Sequence, residues 1–162
     1  LCARVAEAMD LPADHRELLE TAAVLHEIGK ASVPLELLHK TEPLSPAELE
    51  RIRSHAAVGA GIVGGVPALK RAAPLILHQG TDHADLAAHL EPASPAFVLA
   101  GVLRVADAYD AMLSPRSYRG PMTRDYLEQT LVSGAGTRFH PAAVDALLGL
   151  TRPDPRPAAR TP

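Results

Sequence analysis

The chain is 162 residues long, 47% apolar and nearly neutral, with a formal charge of −3. That length suits one domain with a proper core, while the weak negative charge argues against a general nucleic-acid or membrane-surface binder. No apolar stretch reaches the roughly 20 residues that span a bilayer, and the single Cys2 excludes an internal disulfide framework and fits a reducing, cytoplasmic compartment.

There is no tryptophan and few other aromatics, so the core must be built from Ala, Leu, Val and Ile, which favours packed helices. In chain order, Leu1 to Met9 reads as an Ala-rich helix stopped near Leu11-Pro12. Because the chain opens inside that helix, it is read as part of something longer, with an upstream sensor or regulatory domain expected. Asp14 and Glu17 have the spacing of a capping box that opens a second helix. Leu18, Ala22 and Leu25 form its buried stripe, His26 falls on or beside that stripe, and Glu27, Gly29 and Lys30 follow within four positions. An inward imidazole next to an acid needs a partner, and a bound metal suits a neutral imidazole and an ionised carboxylate together. A core histidine held by a backbone carbonyl, with Glu27 in solvent, is the other reading of the same residues. Gly29 is expected to permit a tight exit turn, and Lys30 to place a cation where an anionic ligand approaches.

A short turn through Pro34 to Leu38 precedes Ser45-Pro46-Ala47-Glu48, a strong helix start with a cap, a proline in the first turn and an acid at the third position. Leu49, Ile52, Ala56, Ala60 and Val63 make one continuous stripe, with His55 at its edge and Gly64-Gly65 at its end. Pro67 to His78 reads as a helix with Pro74 as a kinking disturbance in mid-segment, and Gln79 to Pro92 as an irregular, solvated loop containing Asp82, His83, Asp85 and His89. Ser94-Pro95 opens the most apolar helix of the chain, which nonetheless carries Asp107 and Asp110. Pro115 to Pro121 is a basic loop with Arg116, Tyr118 and Arg119, Thr123 caps a further helix, and Gly134-Ala135-Gly136 breaks it. The last helix starts at His140-Pro141, with His15, His39 and His140 read as surface or cap residues. Residues 1–150 are expected to form the domain and 151–162 a disordered Pro/Arg-rich tail.

His26, Glu27, His55, His78 and Asp107 thus fall on four separate predicted helices. Nitrogen and carboxylate donors converging from several helices suit a mononuclear or dinuclear site for iron, manganese or zinc.

From the first helix to Leu148 the chain resembles the HD-GYP family of HD metal-dependent phosphohydrolases. Ala22-Ala-Val-Leu-His26-Glu27-Ile-Gly-Lys30 is similar to the family's signature block, Leu38-His-Lys40 and Leu44-Ser-Pro-Ala-Glu48 to the segment after it, and Ser54-His55-Ala-Ala-Val-Gly59 to its next histidine block. His78 takes the place of the first of its paired histidines. Leu103 to Met112 resembles its aspartate helix, Arg116-Ser-Tyr118-Arg119 its basic loop and Gly136-Thr-Arg-Phe139-His-Pro141 its closing motif. The resemblance implies an all-α, HD-domain-like bundle of about six to eight helices and hydrolysis of cyclic di-GMP, or a related phosphodiester, in bacterial signalling. It further implies His26, Glu27, His55, His78 and Asp107 as metal ligands, with Lys30 and Asp107 in catalysis. Lys30, Asp110, Arg116 and Arg119 would contact phosphate or order the site. The departures are Glu27 where the family has aspartate, Gln79 where it has the second paired histidine, and Gly80 to His89 where its naming tripeptide stands. An upstream helix ligand would precede Leu1. Gln79 weakens the second of two ion positions, so a degenerate regulatory or interaction domain, and an HD-superfamily hydrolase of another nucleotide, stay open beside the first reading.

Overall fold

The computed structural model describes residues 1–114, 120 and 122–151. Arg116, Tyr118 and Arg119 of the basic loop, and the Pro/Arg-rich stretch from Arg152, lie outside the described residues. The helices are α1 (Cys2–Ala8), α2 (Ala13–Leu25), α3 (Leu35–Leu38), α4 (Pro46–Arg53), α5 (His55–Gly64) and α6 (Ala73–Leu77). They continue as α7 (His83–Leu86), α8 (Pro95–Leu113), α9 (Arg124–Gly134) and α10 (Pro141–Thr151), with 3-10 turns at Ile28–Ser32 and Lys70–Ala72. The only extended pairing among the described residues is a lone bridge between Ala135 and Phe139, so the fold is all-α as expected. Helices α3, α6 and α7 are little more than single turns, and the remaining seven make the bundle.

Helix α8 is the axis. The Ser94 hydroxyl accepts the Phe97 amide at 3.3 Å and Pro95 fits the first turn, where a missing N–H costs nothing. Leu99, Val102, Leu103 and Val105 are then fully enclosed, each worth about 1.5–3 kcal/mol of burial, by α1, α2, α6 and α10 packed around it. One core runs from Cys2 on α1 to Leu148 on α10. No helix among the described residues is long and apolar enough to cross a membrane.

Local signals held where the bonding is local. Ser45 and Glu48 form the full capping box of α4, and Thr123 caps α9 through the Tyr126 amide. Four expectations fail. The Asp14/Glu17 box does not form, because α2 starts two residues earlier, capped at Pro12, whose carbonyl takes the amides of His15 and Arg16. The stripe from Leu49 to Val63 is two helices, broken at Ser54, whose hydroxyl bonds back to the Arg51 carbonyl at 2.8 Å. Pro74 begins α6 instead of kinking a longer helix. The loop expected from Gln79 to Pro92 contains α7, whose buried Leu86 packs with Phe97, Ala100 and Leu90.

Candidate metal centre

His26 ends α2 and its ring is fixed from behind. Its Nδ1 lies 2.8 Å from the Ala23 carbonyl, which can only accept, so Nδ1 carries the proton. The far nitrogen, Nε2, then faces Asp107 Oδ1 of α8 at 3.7 Å and Glu27 Oε1 at 3.8 Å. A bare Nε2 would turn a lone pair towards two carboxylates, an arrangement that is favourable only with a cation or proton between them. Without an ion the proton takes that place. The Asp107 carboxylate, with help from the Ala23 carbonyl and Glu27, raises the His26 pKa against the opposing effect of burial. His26 in turn lowers that of Asp107, assisted by the charges of Arg104 and Lys30.

Lys30 sits one turn beyond Glu27, on the 3-10 turn, and pairs directly with its carboxylate. The cation expected to meet an anionic ligand is therefore engaged in the absence of one. His26, Glu27, Lys30, Asp107 and the exposed Asp110 all line one cleft of about 970 Å³. Leu37, Leu38, Leu44 and Ile52 give the cleft an apolar part of its lining, with Lys40 also lining it. Lys40 is held in place by both carboxylate oxygens of Glu48, at 2.7 and 2.8 Å, and this contact holds the Glu48 carboxyl down at about 2.

The other two expected donors are arranged differently. His55, the first residue of α5, donates Nδ1–H to the Ile52 carbonyl at 2.6 Å and turns Nε2 towards the side-chain nitrogen of Gln79, 3.4 Å away. His78 caps the end of α6, with Nδ1 3.3 Å from the Thr81 hydroxyl and its ring stacked on His89 at 5.0 Å. Burial, and then the neighbouring His89, lower its pKa. The structure thus brings His26, Glu27, Lys30 and Asp107 together, connects His55 to them through Gln79, and aims the contacts of His78 at its own loop.

Gly29 explains how the turn reaches α5. A methyl group at this position would overlap the His55 carbonyl and stand 2.6 Å from the Gly59 amide nitrogen. Its φ is not positive, so glycine is required here by the close approach of two backbones and not by the exit turn that the sequence suggests.

A second histidine cluster escaped the sequence reading. The His83 and His140 rings meet edge to face at 5.1 Å, and both contact Phe97. His140 packs so closely on Gly101 of α8 that a methyl there would come within 2.7 Å of its Cβ. The Nδ1 atoms of both rings are buried without a hydrogen-bond partner, and burial followed by His83 lowers the pKa of His140. Asp82, read as solvated, is paired with Arg104 at 2.9 Å. The only advance signal was Gly101, a glycine in the interior of a long apolar helix.

Among the described residues no group of three or more His, Cys, Asp or Glu side chains stands close enough to hold a metal ion. Two donors on one ion, with bonds of about 2.0–2.2 Å, lie roughly 3–3.5 Å apart. The 3.7 and 3.8 Å separations at His26 Nε2 are somewhat wider than that. The backbone carbonyl behind the ring is also the support that metal-bound histidines ordinarily have. The donor types suit one ion, while their spacing is wider than a bound ion would set.

A family model described as HD domain matches residues 1–143. The chain belongs to the HD domain family. This HD domain is similar to a cyclic di-GMP phosphodiesterase of Thermotoga maritima, 30% identical over 157 residues that make up 94% of this chain and 42% of the relative. It is also similar to the cyclic di-GMP phosphodiesterase response regulator RpfG of Xanthomonas campestris, at 31% over 89% of the chain and 39% of the relative. A cyclic di-GMP phosphodiesterase of Vibrio cholerae matches at 30% over 83% of the chain and 29% of its own length. The HD domain therefore spans well under half the length of these curated relatives. Their names agree with the HD-GYP resemblance read from the motifs.

Proposed function

We propose that this HD domain is a metal-dependent phosphohydrolase of bacterial signalling, acting in the cytoplasm on a cyclic dinucleotide of the cyclic di-GMP type or a related phosphodiester. The observation that carries the reading is His26 Nε2, aimed at two carboxylates in a cleft that Lys30 borders. His26, Glu27 and Asp107 would hold one ion of iron, manganese or zinc, with His55 and His78 contributing to a second, weaker position. When bound, the ion supplies Lewis acidity towards a phosphoryl oxygen and a lowered pKa for attacking water. With Glu27 engaged as a ligand, the Lys30 ammonium would be free to offset charge on the phosphate. Asp107 would serve both as ligand and in catalysis, while Asp110 in the cleft lining, with Arg116 and Arg119 beyond the described residues, would order or contact phosphate. The apolar wall of Leu37, Leu38, Leu44 and Ile52 suits a nucleobase. The relatives' names support the cyclic dinucleotide class, and one named a 3'3'-cGAMP-specific phosphodiesterase 2, 26% identical, supports a related member of it. Regulation by a sensor domain elsewhere in the protein belongs to the same reading.

A regulatory domain without turnover is the second reading, favoured by the Gln79 amide already covering His55. Hydrolysis of a panel of cyclic and linear nucleotides, with manganese or ferrous iron, separates the two. The first reading expects slow, metal-dependent cleavage of cyclic di-GMP or a close relative that rises in a Glu27→Asp, Gln79→His double variant as ion stoichiometry goes from one towards two. Full ion occupancy with no cleavage of any phosphodiester overturns it in favour of the second.

A further inference from the structure

Gln79 is the one polar side chain among the described residues that is buried outright, at 5% exposure. Its side-chain nitrogen lies 2.8 Å from the His26 carbonyl, an obligate acceptor, and this fixes which end of the amide is NH2. The second hydrogen of that NH2 group is directed to His55 Nε2 at 3.4 Å, a long contact. Because His55 gives its Nδ1 proton to the Ile52 carbonyl, Nε2 is bare and able to accept. The chain of donors and acceptors from Ile52 through His55 and Gln79 to His26 is therefore determined at every link. An amide nitrogen has no lone pair to offer a metal, so in this orientation Gln79 blocks a donor without replacing it.

We propose that Gln79 is a positioning residue that holds His55 in the tautomer with a bare Nε2 and covers that nitrogen with an N–H, keeping His55 out of the ion at His26 and Asp107. The proposal rests on the metal-site reading for its consequence and on hydrogen bonding alone for its geometry. The outcome is a single-ion centre in which His55 becomes a ligand only after its bond to Gln79 is broken.

Labelling histidine with nitrogen-15 and titrating the metal-free chain with zinc tests both parts. In the unmodified chain, His55 Nε2 should resonate as an unprotonated ring nitrogen at alkaline pH. The first equivalent of zinc should shift the His26 ring and leave His55 in place, with any second ion bound about tenfold or more weakly. In Gln79→Met, which keeps the shape and lacks the donor, and in Gln79→Ala, the His55 signal should move with the first equivalents. A protonated Nε2 in the unmodified metal-free chain overturns the proposal, and so does a His55 shift at the first equivalent with Gln79 present. If zinc leaves His26 untouched, the metal-site reading fails instead, while the tautomer of His55 still decides the role of Gln79.

Discussion

Helix α8 carries two histidine neighbourhoods with opposite chemistry. Near its C-terminal end, Asp107 and Glu27 meet His26 and raise its pKa. On its earlier turns, Phe97 and Gly101 meet His140, which finds a second histidine in place of a carboxylate and is pushed the other way by burial. Both rings are partly buried and both belong to the packing around one helix. What separates an ion site from a packed ring is the charge placed opposite the free nitrogen, and only the first neighbourhood has it. The second explains a stretch that reads as solvated loop: His83, Phe97 and His140 use aromatic contact to fasten α7 and the start of α10 to α8.

The largest expected effect removes that charge. Asp107→Asn should cost more ion affinity than the 10- to 100-fold typical of outer partners, since it removes a direct donor and leaves His26 facing a neutral amide. Isothermal titration with manganese or zinc measures it, and an unchanged affinity would mean that Asp107 is no ligand. Next is the close approach of Gly29 to the backbones of His55 and Gly59. Gly29→Ala should destabilise by about 1–3 kcal/mol or more through overlap with the His55 carbonyl. Gly61→Ala, on α5 but with open space around it, should stabilise by about 0.5–1 kcal/mol. Urea midpoints of the two variants should move in opposite directions, and a shared direction would break the steric account.

The smallest effect concerns pH and tests the contrast directly. His140 has its folded pKa below the unfolded value of 6.5, so the unfolded chain binds more protons between the two values. Its neutral packing contributes fully above 6.5 and is lost as the pH falls from 6.5 towards the folded pKa. His26, raised in the metal-free protein, has the reverse sign: its contribution is present below 6.5 and is lost as pH rises through its folded pKa. His140→Phe should therefore flatten the loss of stability on mild acidification, followed by thermal melts across that range. An unaltered slope would show that His140 is not the group responsible.

The parts of this fold that sequence makes legible are those whose bonding is local. Ser45, Ser94 and Thr123 each cap a helix with an amide three residues on, and the spacing alone announces it. The break at Ser54 was hidden because the stripe from Leu49 to Val63 keeps its period through it. It falls where the backbone of Gly29, some twenty-five residues away, approaches so closely that a methyl there would overlap the His55 carbonyl. Distance in sequence also divides the site. An acid in the apolar run of α8 and a His-Glu pair at a helix end marked Asp107, His26 and Glu27, which the fold gathers. Gln79 reads as a weak substitute ligand from its position, whereas its amide nitrogen bonds a carbonyl 53 residues earlier. No local pattern could reveal that, nor the meeting of His83 with His140.

The contact between the Ile28–Ser32 turn and α5 has a mechanical meaning as well. Side chains can rotate to absorb a displacement, but at Gly29 and Gly59 there are none, and the two backbones bear on one another directly. A tilt of α5 would therefore meet the backbone of the Ile28–Ser32 turn, which follows Glu27, with no side chain at Gly29 or Gly59 to take it up. Leu37, Leu38 and Leu44 reach the same cleft from a different kind of support, since α3 and α4 are joined by a seven-residue connection that the Lys40–Glu48 clasp holds.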